Sequence, residues 1–147
     1  MPVQTSYTMR PAVALAGLVS TAQDRTIDSY TAQEGLEFGR GVTVGATDEQ
    51  VRLAVAGGRL RGVTVFNHSG INETATSVAT GDLLPVLRKG RIWGRAVGAV
   101  TAEAPAYVIV AVGATQGHFT ATVGSNLLVG KFHSGGTDTL VEIDVDL

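Results

Sequence analysis

Hydrophobic and polar residues alternate with period two along much of this chain. Leu36 and Phe38 flank Glu37, and Val42 and Val44 flank Thr43. Val51, Leu53 and Val55 alternate with Arg52 and Ala54, and Val63 and Val65 flank Thr64. Phe119, Ala121 and Val123 alternate with His118, Thr120 and Thr122. The last residues give the clearest case: Val141, Ile143, Val145 and Leu147 on one side, Glu142, Asp144 and Asp146 on the other. This period predicts strands with one buried and one wet face. Glycine-marked turns separate them, at Gly39, Gly45, Gly57-Gly58, Gly81-Asp82, Gly113, Gly124 and Gly135-Gly136. Strands recurring about every 8–12 residues predict an all-β fold, a small β-sandwich or β-barrel-like domain. No helical period follows residue 36.

The stretch from Asp82 to Val112 is read as three strands: one before a turn at Lys89-Gly90, one through Trp93 and one from Tyr107. Asn67 to Thr80 is a long polar loop, of the kind that is functional or mobile in a compact domain. The first residues differ from the rest. Residues 1 to 11 are polar and Pro-bounded, and Ala12 to Ala22 is Ala-rich, either extended or a short helix. Arg25 to Ala32 reads as a first strand. The expected division is an extended N-terminal arm over residues 1–30 and a β-domain over 31–147.

The length, 147 residues, suits one domain that can bury a core without staples. Cysteine is absent, which removes thiolate metal sites and cysteine nucleophiles. Aromatic residues make up only 5%, so the core must be built mainly from small aliphatic side chains. The formal charge of −2 argues against a phosphate-coating role, so no nucleic-acid partner is expected. No apolar run reaches the roughly 20 residues that span a bilayer, and no membrane partner is expected. Arg10 with Pro11 to Val19 makes a poor signal peptide, so synthesis in a cytoplasm is expected.

Catalytic patterns are weak. His68, His118 and His133 lack metalloprotease spacing and read as scattered surface residues. The motif G-x-S-x-G does not occur, and Asn67-His68-Ser69-Gly70 reads as a turn. Gly39-Arg40-Gly41 and Gly113 to Gly117 each lack residues of the phosphate-binding patterns they resemble. Glu142, Asp144 and Asp146 point one way without converging on a cation, which suits a solvated strand face that resists edge pairing. No cofactor, metal or enzymatic activity is expected, although a β-barrel hydrolase or isomerase stays open as an alternative.

One stripe stands out. On an unbroken strand Arg91, Trp93 and Arg95 share a face, with Arg88 and Lys89 just before them. Three readings are open. Trp93 could cap one end of the core with the arginines snorkelling around it. The stripe could be a protein interface, where Arg and Trp are enriched. It could also stack single-stranded bases.

The run Gly81-Asp82-Leu83-Leu84-Pro85-Val86-Leu87, then Lys89-Gly90-Arg91-Ile92-Trp93-Gly94, then Pro105-Ala106-Tyr107-Val108, resembles tailed-phage capsid decoration proteins, also called structural cement proteins. Gln116-Gly117-His118-Phe119-Thr120 and the tail from Gly130 to Leu147 resemble the closing strands of that family. Ala16-Gly17-Leu18-Val19 and Glu34 to Val42 resemble its N-terminal pieces. The resemblance covers most of the chain in order, and the order carries its specificity. One departure is Glu103-Ala104, where the family's usual Gly-Asp precedes the Tyr strand. The resemblance implies a non-enzymatic protein on the outer capsid surface, binding the major capsid protein, as a homotrimer, and reinforcing contacts between capsomers. It also implies synthesis in the bacterial host cytoplasm. The arm residues Met9, Arg10, Leu15 and Leu18, with Arg91, Trp93 and Arg95, are the expected protein contacts. A tail- or fibre-associated protein binding host glycans through the loop 67–80 is the alternative.

Overall fold

A computed structural model describes residues 15–20, 25–66 and 77–147. Thirteen strands and no helix occur among them. They are β1 (Thr26–Ala32), β2 (Leu36–Glu37), β3 (Gly41–Val44), β4 (Gln50–Leu53), β5 (Leu60–Thr64), β6 (Ser77–Val78) and β7 (Leu83–Arg95). After them come β8 (Ala99–Val100), β9 (Pro105–Val108), β10 (Phe119–Thr120), β11 (Leu127–Phe132), β12 (Gly136–Thr137) and β13 (Leu140–Asp146). The fold is all-β, as the alternation predicts.

The main sheet closes on itself. β1, β4, β3, β5 and β7 follow one another, and β7 pairs back to β1. That gives a first ring of five strands. From β7 the sheet continues through β13, β11, β9 and β10. An isolated parallel bridge from Phe119 to Ala96, just after β7, closes a second ring. Closure removes the exposed sheet edges that invite aggregation. Each ring has its own core. Leu36, Val42, Val51, Leu84 and Val86 fill the first. Ile92, Val108, Phe119, Phe132 and Ile143 lead the larger second.

β7 belongs to both rings, and a bulge lets it serve both. Its register against β1 jumps between Ile27↔Leu87 and Thr26↔Lys89, leaving Arg88 as the extra residue. One extra residue shifts the side-chain phase of everything beyond it. Leu87 and Ile92 therefore face the same core despite their odd spacing. The expected turn at Lys89-Gly90 is not there: β7 runs unbroken through it. Gly90, at φ 133°, belongs to the bulge region, a second use of a glycine inside a strand pattern.

Other expectations also shift. The strand expected over Phe119 to Val123 ends at Thr120, and Val123 is exposed. β13 is an interior strand between β7 and β11, not an edge, so its carboxylates need another explanation. Residues 67–76 of the expected polar loop lie outside the described residues, while β6 just after them pairs with β2. Of the expected arm, residues 1–14 and 21–24 lie outside the described residues. Residues 15–20 lie along β7, and Thr26 to Tyr30 form part of β1.

The Glu103-Ala104 departure has a local consequence. Glu103 closes a turn in which Ala104 N donates to Thr101 O at 3.2 Å, and it takes φ 70°, the conformation glycine adopts freely. An L side chain pays about 1 kcal/mol for that region. Its carboxylate meets Lys131 Nζ at 2.8 Å on the surface, where a pair contributes little. In a Lys131→Ala background, Glu103→Gly should therefore raise the unfolding free energy by about 1 kcal/mol. Urea titration of the two variants measures the difference.

Candidate interaction surface

The second half of β7 carries the stripe. Antiparallel pairing with β13 sets Trp93 opposite Glu142, Arg91 opposite Asp144, Lys89 opposite Asp146 and Arg95 opposite Leu140. On the other side of β7 runs the segment 15–20. Val19 bridges Ile92, Gly17 N donates to Trp93 O at 2.8 Å, and Trp93 N donates to Leu18 O at 3.0 Å. Val19 packs against the second core with Ile92. Alternation then turns Leu18 outward beside Trp93. One outer face thus carries Leu18, Trp93, Glu142 and His133 in a row.

The seat of this segment is a close backbone contact between two glycines. A Cβ on Gly39 would lie 2.6 Å from Gly17 N, and one on Gly17 would lie 2.8 Å from Gly39 N. Both have positive φ, 83° at Gly17 and 76° at Gly39. The two N-terminal fragments singled out in the sequence therefore meet in space, each supplying the glycine that lets the other approach.

The electrostatics of the face are mostly settled within the molecule. Arg91 Nε reaches Asp144 Oδ1 at 2.8 Å and Glu142 Oε2 at 3.9 Å. His133 lies between the same two carboxylates, 3.8 Å from Glu142 and 3.7 Å from Asp144. Glu142 and Asp144 of the acidic row are thus cross-strand partners for Arg91 and His133, not a bare solvated face. This pairing was missed in the sequence, although two period-two stripes of opposite charge were there to be matched.

The expected contact residues divide as follows. Met9 and Arg10 lie outside the described residues. Leu15 and Leu18 are 45% and 38% exposed, unusual for leucines and enough to offer apolar area. Trp93 is partly exposed, Arg91 is partly buried in its ion pairs, and Arg95 is exposed. The structure brings Leu18, Arg91 and Trp93 onto one face, with Arg95 at its end.

Near that end a second polar group occurs. Arg40 bonds Glu37 Oε2 at 2.6 Å and Gln116 O at 2.7 Å, fastening the loop before β10 to the first ring. His118 is half-buried beside it, not on an open strand face. Burial, then Arg40 and Arg95, lower its pKa from 6.5 to about 4, while Glu37 opposes them. Between those two values the unfolded chain binds a proton that the native one does not. Stability should fall as pH drops from about 6.5 toward 4, by about 1–2 kcal/mol after solvent screening. His118→Gln should lose less stability over that window. Denaturation of both proteins at pH 7 and pH 5 measures the gap.

Among the described residues no group of three or more His, Cys, Asp or Glu could hold a metal ion. No helix there is long and apolar enough to cross a membrane.

Comparison with known proteins fits this picture. The family model described as Structural cement protein (E217 gp24/Pam3 gp6) matches residues 3–146. No curated protein sequence matches. Among solved structures, a chain from "The capsid of Myoviridae Phage XM1" superposes with a TM-score of 0.77 at 18% identity, covering 99% of this chain and 98% of that one. At that identity the likeness shows a shared fold. The family match spans both rings and the segment seated on β7. The chain therefore belongs to the phage structural cement protein family, and its role is a structural one at the capsid.

Proposed function

We propose that this protein binds the outer surface of a phage capsid and reinforces the contacts between capsomers, without catalysing a reaction. The observation that carries the reading is the family match over residues 3–146. The partner is the major capsid protein, and the protein acts as a homotrimer made in the bacterial host cytoplasm. The arm, with Leu15 and Leu18, and the Arg91, Trp93 and Arg95 face make the contacts. A specific interface needs only about 800 Å² per partner. Several such contacts per oligomer multiply individually weak bonds.

The test is direct. Capsid shells of the parent phage, prepared without this protein, are mixed with it and sedimented. Saturable co-sedimentation and image reconstruction with density on the outer surface between capsomers are expected. Unbound protein at all concentrations, or density only at the tail, would refute the proposal. The mass of the free protein in solution tests the trimer separately.

A further inference from the structure

Along the paired outer rows of β7 and β13 three cations meet three carboxylates, but Glu142 stands opposite Trp93, so one cation has no carboxylate across from it. Along the outer row Lys89 stands opposite Asp146 and Arg91 opposite Asp144. Arg95, the last cation, stands opposite Leu140. Arg91 is satisfied at 2.8 Å by its partner. Arg95 is exposed and, among the described residues, makes no hydrogen bond or ion pair. The groups that act with it on His118 offer it no free carboxylate, since Glu37 is taken by Arg40. Arg40 is itself cationic and is paired with Glu37, and His118 is held neutral beside them. Exposed leucines lie on the other flank of Trp93, at Leu18 and in the turn from Leu15.

We infer that Arg95 is the charge this face presents to its partner, and that it receives a carboxylate of the shell protein while Trp93 and Leu18 cover an apolar residue beside it. The inference rests on the capsid-binding reading above. The chemistry argues for an acidic protein segment over a polyanion. A phosphate chain is held by many cations together, whereas here Arg91 is already paired with Asp144 and Lys89 stands opposite Asp146. A guanidinium can grip one carboxylate with two parallel hydrogen bonds. An exposed cation at the rim of an apolar patch gives specificity and salt dependence to an interface.

The experiment compares binding of wild type, Arg95→Glu, Arg95→Gln and Arg59→Glu to parent-phage shells that lack this protein, at low and high salt. Arg59 is an exposed residue of the first ring, just before β5, and its reversal changes the net charge by the same amount. Arg95→Glu should weaken binding at least about tenfold, and Arg59→Glu no more than about threefold. Wild-type binding should weaken with added salt, and Arg95→Gln should flatten that dependence. At pH 7, where His118 is neutral, thermal unfolding of Arg95→Gln should match wild type, since the side chain has no hydrogen bond or ion pair among the described residues to lose. Equal binding by Arg95→Glu and wild type overturns the inference while leaving capsid binding intact. Equal loss in Arg95→Glu and Arg59→Glu assigns the effect to overall charge and also overturns it. Wild type that does not bind shells at all removes the capsid reading, and the inference with it.

Discussion

Phe119→Ala should lower the unfolding free energy by about 3–5 kcal/mol, a large share of the stability of a domain this size. Three features of the site make the cost high. Phe119 is fully buried in the second core, in a chain where few large side chains are available to collapse into the space. Its ring fills the room left by Gly94: a Cβ there would overlap the ring and lie 2.8 Å from Ile143 Cδ1. The cavity also opens at the seam of the second ring, where Val97 N donates to Phe119 O at 2.8 Å and Ala96 bridges Phe119. The complementarity with Gly94 gives a sharper test. Gly94→Val alone overpacks the site and should cost about 1–3 kcal/mol. In the double variant the valine occupies part of the cavity, so the two losses should sum to more than the measured total by over about 1 kcal/mol. Chemical denaturation of the four proteins gives that coupling. Strict additivity would show that the two residues do not share one space.

Two N-terminal truncations should behave in opposite ways. Deleting residues 1–14 leaves every described strand and the described segment 15–20 in the chain. The protein should fold with an unchanged unfolding midpoint and lose shell binding by at least about a hundredfold, if the arm joins several copies to the shell. Deleting residues 1–30 removes Val19 from the second core and Thr26 to Tyr30 from β1. It takes away most of the strand that closes the first ring between β4 and β7, and exposes the edge of β7. That protein should fail to give a cooperative unfolding transition. Circular dichroism melts and shell co-sedimentation together separate the outcomes. Shell binding retained after removal of residues 1–14 would show that the arm is dispensable and leave the β7 face as the contact. A stable fold after removal of residues 1–30 would contradict the closed first ring.

The strand class was legible because period-two alternation is a local property: a residue two places on faces the same way whatever the partner strand. Val141, Ile143 and Val145 are buried as that rule requires. The stripe of Arg91, Trp93 and Arg95 was legible for the same reason, since it needs only an unbroken strand. Gly90 was misread because a glycine inside a strand marks either a turn or a bulge, and the choice depends on which strands pair alongside it. The same limit hid the role of the acidic strand. Glu142 and Asp144 look solvated until β13 is known to lie between β7 and β11.

By itself the sequence determined the all-β class, most strand positions, the lack of any familiar catalytic motif and an ordered set of turns that resembles one family. The tertiary structure decided that one bulged strand joins two closed rings, that Gly17 and Gly39 meet, and which cations of the stripe already have partners. Those facts depend on register between segments far apart in the chain, and register is fixed by packing of both faces at once, not by any local run of residues.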